Sequence, residues 1–290
     1  MTALGFGDAA LVAAKAVTYA ATLSASGAVF FLFYAHDLIE PAHARDIRRL
    51  IRMLLIVSAI ASCAKVSATA ASMSGDLSGM FDPGLARMIL QSGEGWATLV
   101  RLIGLLLMIP AARPPPPRVL VGAVLGATSF AWTGHVHALA AAWAGAGVLA
   151  VHLLAAAFWL GGLIPLLAAA RGADLARVAA TAARFGAYAL IVVGILIAAG
   201  ACLLGLLLQR VADLWSTGYG RCVLAKISLV ACLLAFAALN RLRLTPGLLA
   251  GDARALPPLR TSIKFELAIA ALILIVTAAM TALTGPAGLD

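Results

Sequence analysis

Charge is scarce in this chain. Of its 290 residues, 11% are Asp, Glu, Lys or Arg, whereas 63% are hydrophobic. A soluble domain of this length needs a polar surface, and this composition cannot supply one. The chain also lacks a long polar stretch that would form a separate soluble domain. We therefore expect a single membrane domain over residues 1–290, without an appended nucleotide-binding or catalytic module.

Cysteine is rare, and the common catalytic motifs are missing. The four cysteines fall in or at the ends of apolar segments and include no CxxC pair. This placement is typical of small buried hydrophobic residues and not of a disulfide framework. The sequence also contains no HExxH or Walker motif, which argues against a zinc hydrolase and an ATP-driven pump. We expect no enzymatic activity.

Long apolar stretches recur along the chain. A helix of about 20 apolar residues crosses a hydrocarbon core of about 30 Å, and Gly, Pro and charged residues separate the stretches here. The sequence therefore predicts an all-α integral membrane protein with eight transmembrane helices. Their expected ranges are about 9–34, 50–73, 95–112, 118–134, 145–169, 185–208, 220–240 and 262–284.

The distribution of basic residues predicts the orientation. Fourteen Lys and Arg residues fall in the connections after the first, third, fifth and seventh predicted helices, and three fall in the others. Basic connections stay in the cytoplasm, so both termini should lie on the opposite, outer side. The same charge attracts anionic lipid. It is spread over four loops without interleaved aromatic residues, so it does not indicate nucleic-acid binding.

A short motif occurs twice. Residues Ser92–Arg101 and Thr217–Lys226 both read [ST]-G-x-G-x5-[RK], and they open the third and seventh predicted helices. These helices run in the same direction and lie four helices apart. The motif therefore suggests two parallel four-helix repeats, with a functional site where the halves meet.

Five ionisable side chains fall within apolar segments: Lys15, Lys65, Arg101, Lys226 and Glu266. Such groups are costly in a bilayer and usually face the protein interior. The four basic residues could instead extend to the outer headgroups. Glu266 could form a structural pair or an ion exit site near the cytoplasm. The candidate partners are Asp8, Asp76, Glu94 and Asp213 for the bases, and Lys264, Arg241 and Asn240 for Glu266.

Three histidines form a candidate metal site. His135 and His137 follow the fourth predicted helix, and His152 lies in the fifth, below the same face. Together they could converge on one metal ion, for which imidazole is a common ligand. Interfacial histidines can also simply hydrogen-bond to headgroups, and this alternative applies most to His137. Met73 and Met80, with Met88, Cys202 and Cys222, supply soft sulfur donors suited to Cu(I) on the same side.

Several segments resemble one known family. Gly134-His135, then His152 to Pro165, Tyr219 to Lys226, Asn240-Arg241 and Ser262 to Glu266 are similar to the core of the CopD copper-resistance membrane proteins. The resemblance is strongest over about residues 130–285. It implies an eight-helix protein of the bacterial inner membrane that moves copper from periplasm to cytoplasm. It also implies a separate periplasmic copper carrier resembling CopC, and it favours His135 and His152 as functional histidines.

Two other functions remain open. A membrane redox protein could bind haem b through His152 and a second histidine, with the basic residues holding haem propionates or a quinone. The chain could also be a membrane partner for a periplasmic copper carrier, without transporting copper itself. The buried charges make an inert scaffold the weaker alternative.

Overall fold

The computed structural model describes residues 5–109, 116–134 and 142–285, and every regular element within these ranges is helical. Short 3-10 turns occur at Leu77–Phe81, Ser129–Trp132 and Ala253–Ala255, and a π turn at Asn240–Leu244 joins α9 to α10. The α-helices are α1 (Phe6–Tyr34), α2 (Pro41–Ser74), α3 (Pro83–Gln91), α4 (Gly93–Leu107), α5 (Pro117–Thr128), α6 (Ala142–Ala169), α7 (Leu175–Leu207), α8 (Asp213–Ser216), α9 (Gly218–Leu239), α10 (Thr245–Leu249) and α11 (Leu256–Leu283).

Six helical stretches of the described chain are long and apolar enough to cross a membrane. They are α1, α2, α6, α7, Gly218–Leu249 and Ala253–Leu283, which confirms the predicted all-α membrane protein. The predicted spans 95–112 and 118–134 correspond to α4 and α5, which have only 15 and 12 residues. Pro110 and the prolines at 114–116 fall between these two helices, and α5 begins at Pro117, a first helical position where proline is tolerated. Helix length alone therefore supports six spans and not eight.

Several helices begin earlier than hydropathy predicts. α2 begins at Pro41 and not near residue 50, and α7 begins at Leu175 and not near 185. In α7 the Asp174 side chain accepts a hydrogen bond from the Arg177 backbone N–H, which satisfies a free donor of the first turn. In α2 proline occupies the first position, where it needs no N–H partner. The polar first turns of α2 and α7 are therefore helical, although they precede the apolar segment that hydropathy detects.

α1 is the central helix of the bundle. It packs against α2, α5, α6 and α11, and in its most apolar stretch 61% of the residues are buried, compared with 11% in α7 and in Gly218–Leu249. Two glycines allow α1 and α6 to approach closely. A Cβ added to Gly161 would lie 2.4 Å from the Leu23 carbonyl oxygen and 2.9 Å from the Gly27 Cα. Small residues of this kind are typical of membrane helix contacts.

The repeated motif begins a helix in both places. Ser92 caps α4 by accepting a hydrogen bond from the Glu94 N–H, and Thr217 caps α9 by accepting one from the Gly220 N–H. The second glycine of the motif, Gly95 or Gly220, is tightly packed in both copies. A Cβ added to Gly95 would lie 1.9 Å from the Leu90 carbonyl oxygen, and one added to Gly220 would lie 2.0 Å from the Asp213 carbonyl oxygen. The motif therefore encodes a capped helix start packed against a preceding short helix.

Arginine side chains hydrogen-bond between helix ends on one side of the bundle, which we call the basic side. Arg184 of α7 donates to the Tyr34 carbonyl at the end of α1 and to the Asp37 carboxylate. The Arg184 hydrogen bond holds the pKa of Asp37 below its usual value. Arg260 of α11 donates to the Ala170 carbonyl after α6, with an N–O distance of 2.8 Å. The ends of α1, α6, α7 and α11 thus meet on this side.

The α6–α7 and α9–α11 pairs form two walls of a cleft. α7 packs mainly on α6 and α9 mainly on α11, and few contacts join α7 to α9. The short helix α10 closes the cleft on the basic side by packing on α7. There the Arg241 guanidinium also crosses to the Gly186 carbonyl of α7 at 2.7 Å.

We predict that Gly161→Ala destabilises the bundle. The added methyl would clash with α1, and overpacking of this kind costs about 1–3 kcal/mol. The variant should unfold at a lower temperature in detergent. The control is Gly194→Ala in α7, where no atom lies within 4 Å of an added Cβ. Equal unfolding temperatures for the two variants would contradict the close α1–α6 contact.

Candidate functional site

Four ionisable residues, of which Lys65 and Arg101 are buried and Lys15 and Glu94 are partly buried, form one group. We call this group, Lys15, Lys65, Glu94 and Arg101, the charged cluster. Lys65 of α2 forms an ion pair with Glu94 at the start of α4, and the side chains are 4% and 22% exposed. Lys15 of α1 donates to the Thr281 carbonyl of α11 at 2.8 Å. Glu94, which sequence analysis offered as one of several partners, is therefore the carboxylate that Lys65 uses.

Arg101 is completely buried in the charged cluster. Its Nε donates to Ser129 Oγ at 3.1 Å and its Nη1 to Ser62 Oγ at 3.4 Å. The guanidinium carbon also lies 4.2 Å from the centroid of the Phe130 ring, a cation–π geometry. Within the part of the chain that the structure describes, Nη2 has no hydrogen-bond partner. The cluster thus holds three bases against one acid, a strongly positive interior for the N-terminal half.

His152 of α6 faces α7. Its Nδ1 lies 3.2 Å from the Leu196 carbonyl oxygen, and Gly200 leaves room for the ring, since a Cβ there would lie 3.3 Å from His152 Cε1. A carbonyl oxygen only accepts hydrogen bonds, so Nδ1 carries the proton. Nε2 therefore keeps a free lone pair. Metal-binding histidines commonly have this arrangement, with the second nitrogen bonded to a backbone carbonyl.

Lys226 belongs to α9, which packs on α11, whereas His152 belongs to α6, which packs on α7. A positive charge on the Lys226 amine would interact electrostatically with the imidazole. The two helix pairs therefore contribute one amine and one imidazole, which are close enough to interact. A cation at His152 would be repelled by a charged Lys226, so it would need a neutral amine or an accompanying anion.

A cavity of about 330 Å³ occupies the cleft nearer the basic side. Most of its lining is apolar, with Trp159, Phe185 and Leu234 among the contributing side chains, and this size is typical of small-molecule sites. Trp159 lies two helical turns from His152 along α6, about 10 Å. The cavity therefore begins about two helical turns from His152 along α6.

Polar groups are concentrated at the basic end of this cavity. Glu266 of α11 is 2% exposed and accepts a short hydrogen bond from Asn240 Nδ2 in the π turn. Asn240 was one of its expected partners. The other two are engaged differently: Arg241 donates to Gly186, and Lys264 is exposed on another face of α11. π turns often occur at functional sites.

The remaining candidate ligands are dispersed or lie beyond the described ranges. His135 and His137 fall outside the described residues. Met73 and Met88 are exposed at the ends of α2 and α3, and Met80 lies in the 3-10 turn between these helices. Cys202 is exposed on α7 and Cys222 lies on α9. Over the described ranges, no three His, Cys, Asp or Glu side chains form a group that could hold a metal ion.

Sequence analysis missed three features of the cleft. It did not identify the Leu196 carbonyl as a partner of His152, the Arg241–Gly186 contact, or Ser262 as a neighbour of Glu266. Only the last carried a sequence signal, because residues four apart share a helix face. Ser262 and Glu266 are both buried on α11, with 4% and 2% exposure.

Two family models match the chain. The model described as "Copper resistance protein D-like, N-terminal domain" matches residues 6–147, which include three bases of the charged cluster. The model described as "Copper resistance protein D" matches residues 179–280, which include Lys226 and Glu266. His152 lies between the two matched ranges. No curated protein and no solved structure matches the chain.

We predict that Glu94→Gln destabilises the protein strongly. It leaves the Lys65 ammonium buried without a counter-charge, which costs about 3–5 kcal/mol in protein interiors. Adding Lys65→Met should recover much of the loss, as measured by thermal unfolding in detergent. The control is Arg177→Met, which removes an exposed ion pair with Asp174 worth less than about 1 kcal/mol. A Glu94→Gln effect no larger than this control would contradict the buried pair.

Proposed function

Because the chain belongs to the CopD family of copper resistance proteins, we propose that it moves copper across the bacterial inner membrane from periplasm to cytoplasm. It would act as a carrier and not as an enzyme. The inside-negative membrane potential supplies about 2.3 kcal/mol per positive charge per 100 mV, so the route needs no ATP. Copper is the transported ion here and not a resident cofactor.

The observation that carries this proposal is the orientation of His152. Its Nδ1 is held by the Leu196 carbonyl, which leaves Nε2 free to bind copper within the membrane domain. His152 is the eleventh residue of α6, so about 15 Å along the helix separates it from the start of α6. We infer that His135 and His137, which precede α6, receive copper at the periplasmic surface and that His152 binds it next. Met73 and Met80 would assist as soft ligands.

The cleft provides the route beyond His152. It continues past Trp159 into the cavity and reaches Glu266 and Asn240 at the basic side, which the positive-inside rule assigns to the cytoplasm. The N-terminal half is a poor route, because three bases and one acid in its charged cluster would repel a cation. We therefore place copper in the C-terminal half and give the charged cluster a structural role.

The proposed transport implies two partners for the protein, a copper carrier and anionic lipid. A periplasmic carrier similar to CopC would deliver copper to the outer histidines. Anionic lipid would bind the arginines of the basic side. Under this proposal the chain transports copper and does not merely anchor the carrier.

We also propose that α4 and α5 cross the membrane, which gives eight spans with both termini in the periplasm. Ser26 Oγ donates to Met108 Sδ, just after α4, at 3.8 Å, and Ser26 lies one turn beyond Thr22, which bonds Ser58 of α2. Arg52 lies six residues before Ser58, about 9 Å toward the basic side. Along the helix axes, Met108 therefore lies within about one helical turn of the depth of Arg52, close to the cytoplasmic surface.

Replacing His152 tests the transport site. His152→Ala should weaken copper binding to the purified protein by at least about 100-fold, because even second-layer partners of metal ligands contribute 10–100-fold. Isothermal titration with copper measures this change. The matched control is His36→Ala, because His36 also holds its Nδ1 near a carbonyl, that of Phe33 at 2.9 Å, but lies on the basic side. Binding unchanged in His152→Ala would overturn the site.

The purified protein and its histidine variants also distinguish copper transport from haem binding and from a partner role. A colourless protein that binds copper agrees with the proposal, whereas a Soret band in the visible spectrum of protein purified from cells would indicate haem and contradict it. In cells, His135→Ala combined with His152→Ala should lower copper accumulation. Unchanged accumulation would favour a membrane partner of a copper carrier.

Cysteine labelling tests the eight-span topology. In a background without native cysteines, Arg118→Cys at the start of α5 should react with a membrane-impermeant maleimide only from the cytoplasmic side. Arg210→Cys, between α7 and α8, should react only from the periplasmic side and serves as the control. Both residues are exposed. An Arg118→Cys protein that reacts from the periplasm, or from neither side of sealed vesicles, would contradict crossing by α4 and α5.

A further inference from the structure

The basic end of the cleft contains a buried carboxyl group without a counter-charge. Glu266 is 2% exposed, and its hydrogen bond comes from the neutral Asn240 amide. No ion pair within the described ranges includes Glu266. An ionised carboxylate in a membrane interior is costly unless a cation neutralises it. The site therefore requires a bound positive species or a neutral acid.

The basic groups nearest Glu266 among the described residues bond to backbone carbonyls or are exposed, although Arg241 also lines the cavity. Arg241 in the π turn donates to Gly186, and Arg260 on α11 itself donates to Ala170. Lys264 is exposed, two positions away and thus on another face of α11. From α6 and α7 the cavity receives aliphatic, aromatic and glycine residues. None of these groups supplies a positive charge to Glu266.

The more distant titratable groups lie toward the other end of the cleft. Lys15 and Tyr19 of α1 contact Thr281, which is 15 residues from Glu266, about 22 Å along α11. Lys226 of α9 lies 14 residues before Asn240, about 21 Å away. Tyr34, at the end of α1, packs among Phe158 and Tyr188. Arg241 also lines this end of the cavity, where its guanidinium donates to the Gly186 carbonyl, so Glu266 is the acidic group of the lining among the described residues.

Two neighbouring polar atoms lack partners. Among the described residues, Asn240 Oδ1 and Ser262 Oγ are buried without a hydrogen bond, and Ser262 lies one turn from Glu266 on α11. Either oxygen can accept from the O–H of a protonated carboxyl, whereas an ionised carboxylate has no hydrogen to give. The side chains of Asn240, Ser262 and Glu266 offer too few oxygens for the six to eight ligands that hard metal ions such as calcium take. A proton fits this group best.

We propose that Glu266 is a proton-binding site that couples proton release to copper passage. The carboxyl is protonated when the cleft holds no cation. When copper enters, the O–H bond breaks, its electron pair stays on the carboxylate, and the proton leaves to the cytoplasmic solution. No electron is transferred. This inference rests on the proposed copper transport, and it adds the proton as a second transported or exchanged species.

The physical reason for coupling is mutual exclusion. Copper in the cleft and a proton on Glu266 are both positive, and they share a cavity with mostly apolar walls. Electrostatic interaction is strong in such surroundings, because the local dielectric is low. An ionised Glu266 attracts a cation into the cleft, whereas a protonated Glu266 leaves the cation without a counter-charge. Proton and copper therefore occupy the cleft in alternation.

Infrared difference spectroscopy tests proton binding on the full chain in lipid nanodiscs. The wild type should show the carbonyl band of a protonated carboxylic acid, and raising the pH or adding copper should remove it. Glu266→Gln keeps the size and an acceptor for Asn240, and it should lack this band. Glu40→Gln on the exposed basic side should retain it. A band that persists in Glu266→Gln, or that copper leaves unchanged in the wild type, overturns the inference.

Copper uptake into proteoliposomes tests coupling separately. Acidifying the cytoplasmic-side solution should slow wild-type uptake by about tenfold per pH unit, the dependence expected of one titrating group. Glu266→Gln should lose this dependence while Glu40→Gln keeps it. Identical pH dependence in wild type and Glu266→Gln overturns the inference but not copper transport. Absence of copper uptake by the wild type overturns the transport proposal, while the carboxyl band still reports whether Glu266 holds a proton.

Discussion

A charged side chain within a lipid bilayer must find its stabilisation inside the protein, because the hydrocarbon offers no hydrogen bonds and no counter-ions. The N-terminal half meets this requirement with specific partners. Lys65 has a carboxylate, Lys15 has a carbonyl, and Arg101 has two hydroxyl groups and an aromatic ring. These contacts connect α1, α2, α4 and α11, so neutralising buried charge also fixes how the helices pack.

The C-terminal half meets the same requirement less completely. Glu266 has one amide partner among the described residues, and it lines an open cavity. A polar group beside open space is suited to binding a transient ligand, whereas side chains whose contacts join several helices are suited to holding a structure together. This difference explains why we assign the structural role to the first half and the transport role to the second, although both begin a helix with the same motif.

Much of the fold could be predicted from composition, because apolar stretches in a chain this hydrophobic have few structural options. The number of spans could not be predicted, since α4 and α5 have 15 and 12 residues and are shorter than the length at which hydropathy is decisive. For the site, sequence supplied the ionisable residues and three candidate partners for Glu266, of which Asn240 is the one that bonds it. It could not supply the Leu196 carbonyl beside His152, because every residue has a carbonyl and only packing selects one. The positions of His135 and His137 lie outside the described residues.

The sparse packing of α7 and α9 has a consequence for the surroundings of the protein. Where two helices of one chain leave apolar side chains uncovered, neighbouring acyl chains must cover them, so lipid acts as part of the tertiary structure. The width of the cleft then depends on the thickness and lateral pressure of the bilayer as well as on the sequence. A detergent that replaces these lipids removes a component of the C-terminal half while leaving the tightly joined α1–α2–α6 contacts intact.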